Sequence, residues 1–222
     1  MAQFLILLAA FLIRISTAAF SGGFSSDTAC FAAWAARIYA LGPSGFYSPD
    51  VFTDYPPGYM YLLYPIGFLV SKTGIPYLGS LHLILLRLPS ILCDCITGQL
   101  LYKEAKKKFS SSHALFFSAL YLFNPAVILN SSLWGQVDSV FTLFLLCTCL
   151  FLIRDNLSAA YLTYAAALLI KPQALLFAPL MLFVFIKKIF LQDFSLKKLL
   201  LHLGQIFSAC LLLVLCSLPF GL

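Results

Sequence analysis

The chain has 222 residues, of which 62% are hydrophobic and only 10% charged; soluble domains carry about a quarter charged residues, so this composition excludes one and indicates a polytopic membrane protein. Fourteen Lys and Arg against eight Asp and Glu give a formal net charge of +6, but the basic residues bunch in short loops between apolar runs, which is the positive-inside pattern and not a nucleic-acid surface. Cys93, Cys95, Cys147, Cys149, Cys210 and Cys216 all fall inside apolar runs, where a thiol acts as a small hydrophobe, so no disulfide framework is expected.

In chain order, the first apolar run, 3–20, is followed by small residues, as in a signal peptide. It lacks a basic start and carries Arg14 inside the run, so it reads as a retained first span. An outer loop, 21–76, follows. Within it, residues 27–41 predict an amphipathic helix with Phe31, Trp34, Ile38 and Leu41 at helical spacing and Ser26 or Asp27 as its cap. Further spans are expected at 77–101, 112–130, 136–153, 158–170, 173–186 and 199–218, which makes seven crossings. The run "YMYLLYPIGFLV" at 59–70 has 12 residues and contains Pro65 and Gly67. Charge decides its place. If it lies in the interface and the N-terminus is cytoplasmic, Lys103, Lys106, Lys107, Lys108, Arg154, Lys187, Lys188, Lys197 and Lys198 all face the cytoplasm. A crossing at 59–70 would invert every later loop, so the run is read as an interfacial helix on the outer side. The spans 158–170 and 173–186 are short, which suggests a hairpin with its tip at Lys171-Pro172 inside the membrane. No internal repeat is visible.

Four polar signatures fall on the outer face in this topology: Asp27 in "SSDTACFAAWA", "TDYPPGY" at 53–59, "SLWGQVD" at 132–138 and "IKPQ" at 170–173. Asp27 reads either as a helix cap or as a general base at an apolar boundary. Pro56 and Pro57 force Tyr55 into an extended conformation and hold Asp54 in one place, although Asp before Pro is also an ordinary turn. In "NPAVILNSSLWGQVD", Asn124-Pro125 interrupts a span, and Asn130, Trp134, Gln136 and Asp138 gather polar groups suited to sugar hydroxyls, with the indole able to stack on a pyranose or to sit in the interfacial aromatic belt. Lys171, beside a proline, is a candidate contact for an anionic headgroup or a snorkelling side chain. For Arg14 and Arg87, charges inside spans, partners on other helices are the default. His82, His113 and His202 are scattered, and the sequence contains no HExxH, nucleotide-loop glycine motif or GxSxG.

Together, Asp27 followed by "FAAWA", "DYPPGYMYLLY", "NPAVILNSSLWGQVDS" and "LLIKPQALLFAPL" resemble the bacterial relatives of GPI-anchor mannosyltransferases, within the GT-C superfamily of membrane glycosyltransferases. The resemblance runs from about residue 10 to 220. It implies an all-α GT-C-type module of about seven transmembrane helices, 1–222, whose long first outer loop carries interfacial helices. It further implies an inverting transfer of a hexose, mannose first of all, from a polyprenyl-phosphate-sugar donor to a glycan, lipid or protein acceptor, on the outward face of a bacterial plasma membrane. Carried over, Asp27 becomes the base and Asp54 a second acid that positions the acceptor. Tyr55, Trp134, Gln136, Asp138 and Gln173 become substrate-binding residues, and Lys171 a donor-phosphate contact. Some GT-C branches require a divalent cation, and no ligand cluster in this sequence decides the matter. The resemblance also implies several further spans beyond Leu222, so 1–222 is expected to be part of a longer or split enzyme.

A lipid or solute transporter is the rival class. It would favour inverted repeats and polar groups near the bilayer midplane, whereas the acids here concentrate in outer loops. A noncatalytic fragment of a transferase is the third alternative.

Overall fold

The structure, a computed structural model, describes residues 1–191 and 194–222, and among them it is all-helical. In chain order the helices are α1 (Ala2–Phe20), α2 (Ser25–Leu41), α3 (Pro57–Thr73), α4 (Ser80–Ala105), α5 (Ser111–Leu122), α6 (Pro125–Ile128), α7 (Asp138–Ile153), α8 (Leu157–Ile170), α9 (Ala178–Ile189) and α10 (Leu196–Ser217). Tight 3-10 turns occupy Pro43–Gly45, Pro172–Phe177 and Leu218–Phe220, and a wider turn occupies Leu129–Trp134. The chain forms two compact units: unit 1 holds Met1–Gly42 and Met60–Leu143, unit 2 holds Pro43–Tyr59 and Phe144–Leu222.

Four segments among the described residues are long and apolar enough to cross a membrane, namely α1, α4, Pro172–Ile189 and Leu196–Phe220. A fifth arises if Ser111–Leu122 and Pro125–Trp134 count as one span bent by 46°. The bend falls at Asn124-Pro125, where the proline ring drives Asn124 out of the helical region (ψ 121°) and the Asn124 side chain accepts from the Ala126 N–H at 2.9 Å to restart the helix. Of the seven expected crossings, α7 and α8 remain apolar but short, at 16 and 14 residues. Helix α3, which takes in the ambiguous 59–70 run, stands outside the span-length set.

Two expectations differ from the structure. The segment after Lys171 is not a short half-helix: the 3-10 turn runs on into α9 to give an 18-residue segment apolar enough to cross a membrane, about 30 Å of rise at 2.0 Å per 3-10 residue and 1.5 Å per α residue. The second difference is the start of α2, at Ser25, with Phe24 as its cap residue and no capping side chain. Asp27 therefore sits in the first turn, and its carboxylate is directed elsewhere.

In unit 1, α4 packs against α1 and α5, and polar side chains join the three. Arg14 donates through Nε to Asp94 Oδ2 at 3.0 Å, both side chains fully buried, and Tyr121 donates to Asp94 Oδ1 at 2.9 Å. Gln3 adds hydrogen bonds of 3.1 Å to Gln99 and Ser118. Helix α3 lies so close on α2 that a Cβ at Gly67 would collide with the Ala35 carbonyl; glycine is what permits this approach.

In unit 2, α8 packs on α10 around Leu157, Tyr161, Ala165, Met181 and Ala209. The Thr148 and Thr163 hydroxyls meet at 3.0 Å between α7 and α8, each also bonded to a carbonyl of its own helix. A cavity of about 360 Å³ opens between α8, α9 and α10, with Tyr161, Tyr164, Met181 and Phe185 among its lining residues.

Candidate active site

In unit 1, Asp27 is the focus of a converging set of donors. Trp134 donates its indole N–H to Asp27 Oδ2 at 3.0 Å, and the Gln136 side-chain amide donates to the same oxygen. The other oxygen, Oδ1, has the Ser26 hydroxyl 3.5 Å away. One carboxylate oxygen is thus anchored by two donors, and its twin lies near the Ser26 hydroxyl. The Trp134 ring leans on Phe24 at 5.8 Å and is 46% exposed.

The turn that supplies Trp134 and Gln136 is held from below. Gly135 adopts φ 87°, a left-handed conformation that suits glycine, which lets the N–H groups of Gly135 and Gln136 both donate to the Asn130 carbonyl at 3.0 Å. Asn130 in turn donates its side-chain amide to Asp138 Oδ2 at 3.0 Å. Ser90 of α4 donates to the Gln136 carbonyl at 2.7 Å. One turn earlier on α4, the buried Arg87 donates through Nη1 to the carbonyls of Ala18 and Ser21 at 2.7 and 2.9 Å. Gly23 (φ 66°) and Gly135 both pass against that guanidinium, and a Cβ on Gly23 would collide with it. Arg87 thereby ties the end of α1 and the lead into α2 to the turn that grips Asp27.

In unit 2, the segment 43–59 lies against the C-terminal end of α8. Gly58 touches the Leu169 backbone so closely that a Cβ there would overlap it. Tyr47 donates its hydroxyl to the Tyr55 carbonyl at 2.8 Å. Burial pushes the Tyr47 phenol above its ordinary pKa, which keeps it protonated as a standing donor. The Lys171 ammonium lies 5.6 Å from the centre of the Tyr55 ring, within cation-π range. Lys171 follows α8 in an extended conformation (φ −152°, ψ 129°), which turns the chain out of the helix before Pro172. Asp54 and Gln173 are both exposed.

Of the residues singled out in the sequence, the structure brings Asp27, Trp134 and Gln136 into direct contact, adds Asp138 through Asn130, and separately pairs Tyr55 with Lys171. Arg87, Ser90 and Tyr47 belong to no motif. The one available signal among them is the charge of Arg87 inside a span, which marks it as partnered without saying with what. Among the described residues, no group of three or more His, Cys, Asp or Glu is placed to hold a metal ion.

Residues 56–219, well over half of the chain, match the profile of a family described as dolichyl-phosphate-mannose-protein mannosyltransferase. The matched region contains Trp134, Gln136, Asp138, Lys171 and Gln173, and begins after Asp27 and Asp54. A comparison with curated proteins finds no match. The transporter alternative receives no support from the family match.

Proposed function

The chain belongs to the dolichyl-phosphate-mannose-protein mannosyltransferase family of GT-C membrane glycosyltransferases, and on that premise we propose that it moves mannose from a polyprenyl-phosphate donor to an acceptor hydroxyl at the outer membrane face, with inversion. The acceptor oxygen attacks the sugar C1 as the bond from C1 to the phosphate oxygen breaks, and the electron pair leaves with the polyprenyl phosphate. Asp27 Oδ1 takes the hydroxyl proton. Asp54 is the second acid and orients the acceptor. Trp134 offers a ring face to the sugar, with Gln136 and Asp138 bordering the same turn. Lys171, on its Tyr55 ring, contacts the donor phosphate, Gln173 is a further substrate-binding residue, and the apolar cavity between α8, α9 and α10 gives room for part of an isoprenoid chain. The finer placement near the bacterial relatives of GPI-anchor mannosyltransferases rests on "DYPPGY", "WGQVD" and "IKPQ" in that order.

The observation that carries this reading is the two-donor anchoring of a single Asp27 oxygen, the arrangement that a fixed base needs. Asp27→Asn should lower turnover by roughly two to four orders of magnitude, the range for losing a positioned base, with an unchanged thermal unfolding midpoint. Near-normal turnover would transfer the base role to Asp54.

The reading also takes seven crossings with 21–76 outside, supported by the shared side of the lysine clusters. In a cysteine-free background, a single cysteine at Ser48 should react with an impermeant maleimide on intact cells, and one at Ser110 only after permeabilisation. Reaction of both from outside would overturn that topology.

A further inference from the structure

We propose that Tyr47 is a positioning residue for Lys171, acting through Tyr55; the proposal rests on the reading of Lys171 as a donor-phosphate contact. The contacts run in series within unit 2. Phe46, fully buried, sets its ring edge against Tyr47 at 4.9 Å and against Phe220 at 6.3 Å. Tyr47 also meets Phe220 at 5.6 Å, so its ring is seated from two sides. From that seat its hydroxyl reaches the Tyr55 carbonyl at 2.8 Å. That carbonyl belongs to the peptide bond before Pro56, where proline geometry couples the backbone on either side. Fixing it therefore holds the Tyr55 backbone from which the ring projects. Tyr59 supports the ring at 5.2 Å, and Lys171 Nζ lies 5.6 Å from its centre.

A lysine needs such help more than most side chains. Its ammonium rides on a flexible four-carbon stem with no geometric preference of its own, and holding it in one place before the phosphate arrives lowers the ordering cost of binding. The ring face supplies attraction, and the Tyr47 hydroxyl supplies the aim. Phe220, in the turn after α10, extends the same series, which makes the Leu218–Phe220 turn part of what orients Lys171.

The test uses the purified full chain in nanodiscs and two measurements. In the first, reductive dimethylation rates at individual lysines are read by peptide mass spectrometry. Tyr47→Phe, which keeps the ring and removes only the hydroxyl, should raise the rate at Lys171 about two- to tenfold, the span expected for one lost hydrogen bond. Tyr55→Leu should do the same and Tyr55→Phe should not, because it retains the ring. The rate at Lys188 in the same unit should stay unchanged throughout; a parallel rise there would mean general loosening and would overturn the proposal, as would an unaltered Lys171 rate in both Tyr47→Phe and Tyr55→Leu.

The second measurement is the affinity for farnesyl-phosphate mannose. Tyr47→Phe should weaken it about two- to tenfold, yet add nothing in a Lys171→Met background, whereas additive losses would overturn action through Lys171. If the wild type does not bind this probe, or binds it equally well without Lys171, the donor reading of Lys171 fails. The labelling result then still decides whether Tyr47 positions the ammonium.

Discussion

The two units solve the same problem, keeping helices together where water is scarce, with different materials. Of the thirteen buried polar or charged residues among those described, only Thr148 and His202 belong to unit 2; Arg14, Arg87 and Asp94, the buried charges, all lie in unit 1. Unit 1 is specified by directional contacts, ion pair to hydroxyl and guanidinium to carbonyl, and it carries the Asp27 cluster. Unit 2 is specified mainly by shape: small residues and tyrosines between α8 and α10, glycine against backbone at Gly58, and aromatic edges around Phe46. Directional contacts tolerate no loss of a partner, whereas shape contacts degrade by degrees. Asp27 and its two donors are thus built on the more exacting of the two frameworks.

That contrast can be broken by stability measurements. Arg14→Met strands the Asp94 carboxylate in the interior of unit 1 and should cost about 3–5 kcal/mol, the range for halving a buried pair; adding Asp94→Leu should recover most of it. Unfolding in mixed micelles reads both, and failure of the second change to rescue would show that the pair does more than satisfy itself. In unit 2, Gly58→Ala drives a methyl into the Leu169 backbone and should cost about 1–3 kcal/mol, as overpacking does. A neutral result there would mean that the segment 43–59 yields easily. The smallest effect is expected from Thr163→Val, which removes the hydroxyl contact with Thr148 and should cost about 0.5–1.5 kcal/mol. If Thr163→Val proved as damaging as Arg14→Met, the distinction between the two units would collapse.

Much of the helix layout was legible in the sequence because apolar run length is a strong, local signal. The starts and ends of α1, α4, α7, α8 and α10 fall within a few residues of the runs expected from hydropathy, and the break at Asn124-Pro125 follows from proline chemistry alone. Helix α9 was misjudged because a 3-10 turn has no hydropathy signature of its own and Lys187-Lys188 look like a loop while serving as the last turn of a helix. At the site, the motifs named Asp27, Trp134 and Gln136 separately. The sequence could not say that an indole N–H and an amide 107 and 109 residues away share one carboxylate oxygen, since that depends on how α4 props the turn. Ser90 shows the limit well: a serine in an apolar helix is ordinary, and only the position of the Gln136 carbonyl gives it a task. Tyr47 is similar, one tyrosine among eleven until its hydroxyl is seen on the carbonyl before Pro56.

The Arg14–Asp94 pair has a consequence for how the chain is made. Its two halves lie 80 residues apart, and α1 leaves the ribosome long before α4. At about 5–20 residues per second, Arg14 waits roughly 4–16 s for its partner. A lone arginine at the centre of a helix costs about 2.5–3.5 kcal/mol on insertion scales, which the leucine- and phenylalanine-rich remainder of α1 can offset. During that interval α1 is a helix that can insert but has reason to stay near the insertion machinery or to draw water toward Arg14. Arrival of α4 ends the wait by bringing a carboxylate, so the contact that settles Arg14 during biogenesis is the one that later holds α1 against α4 in the finished protein.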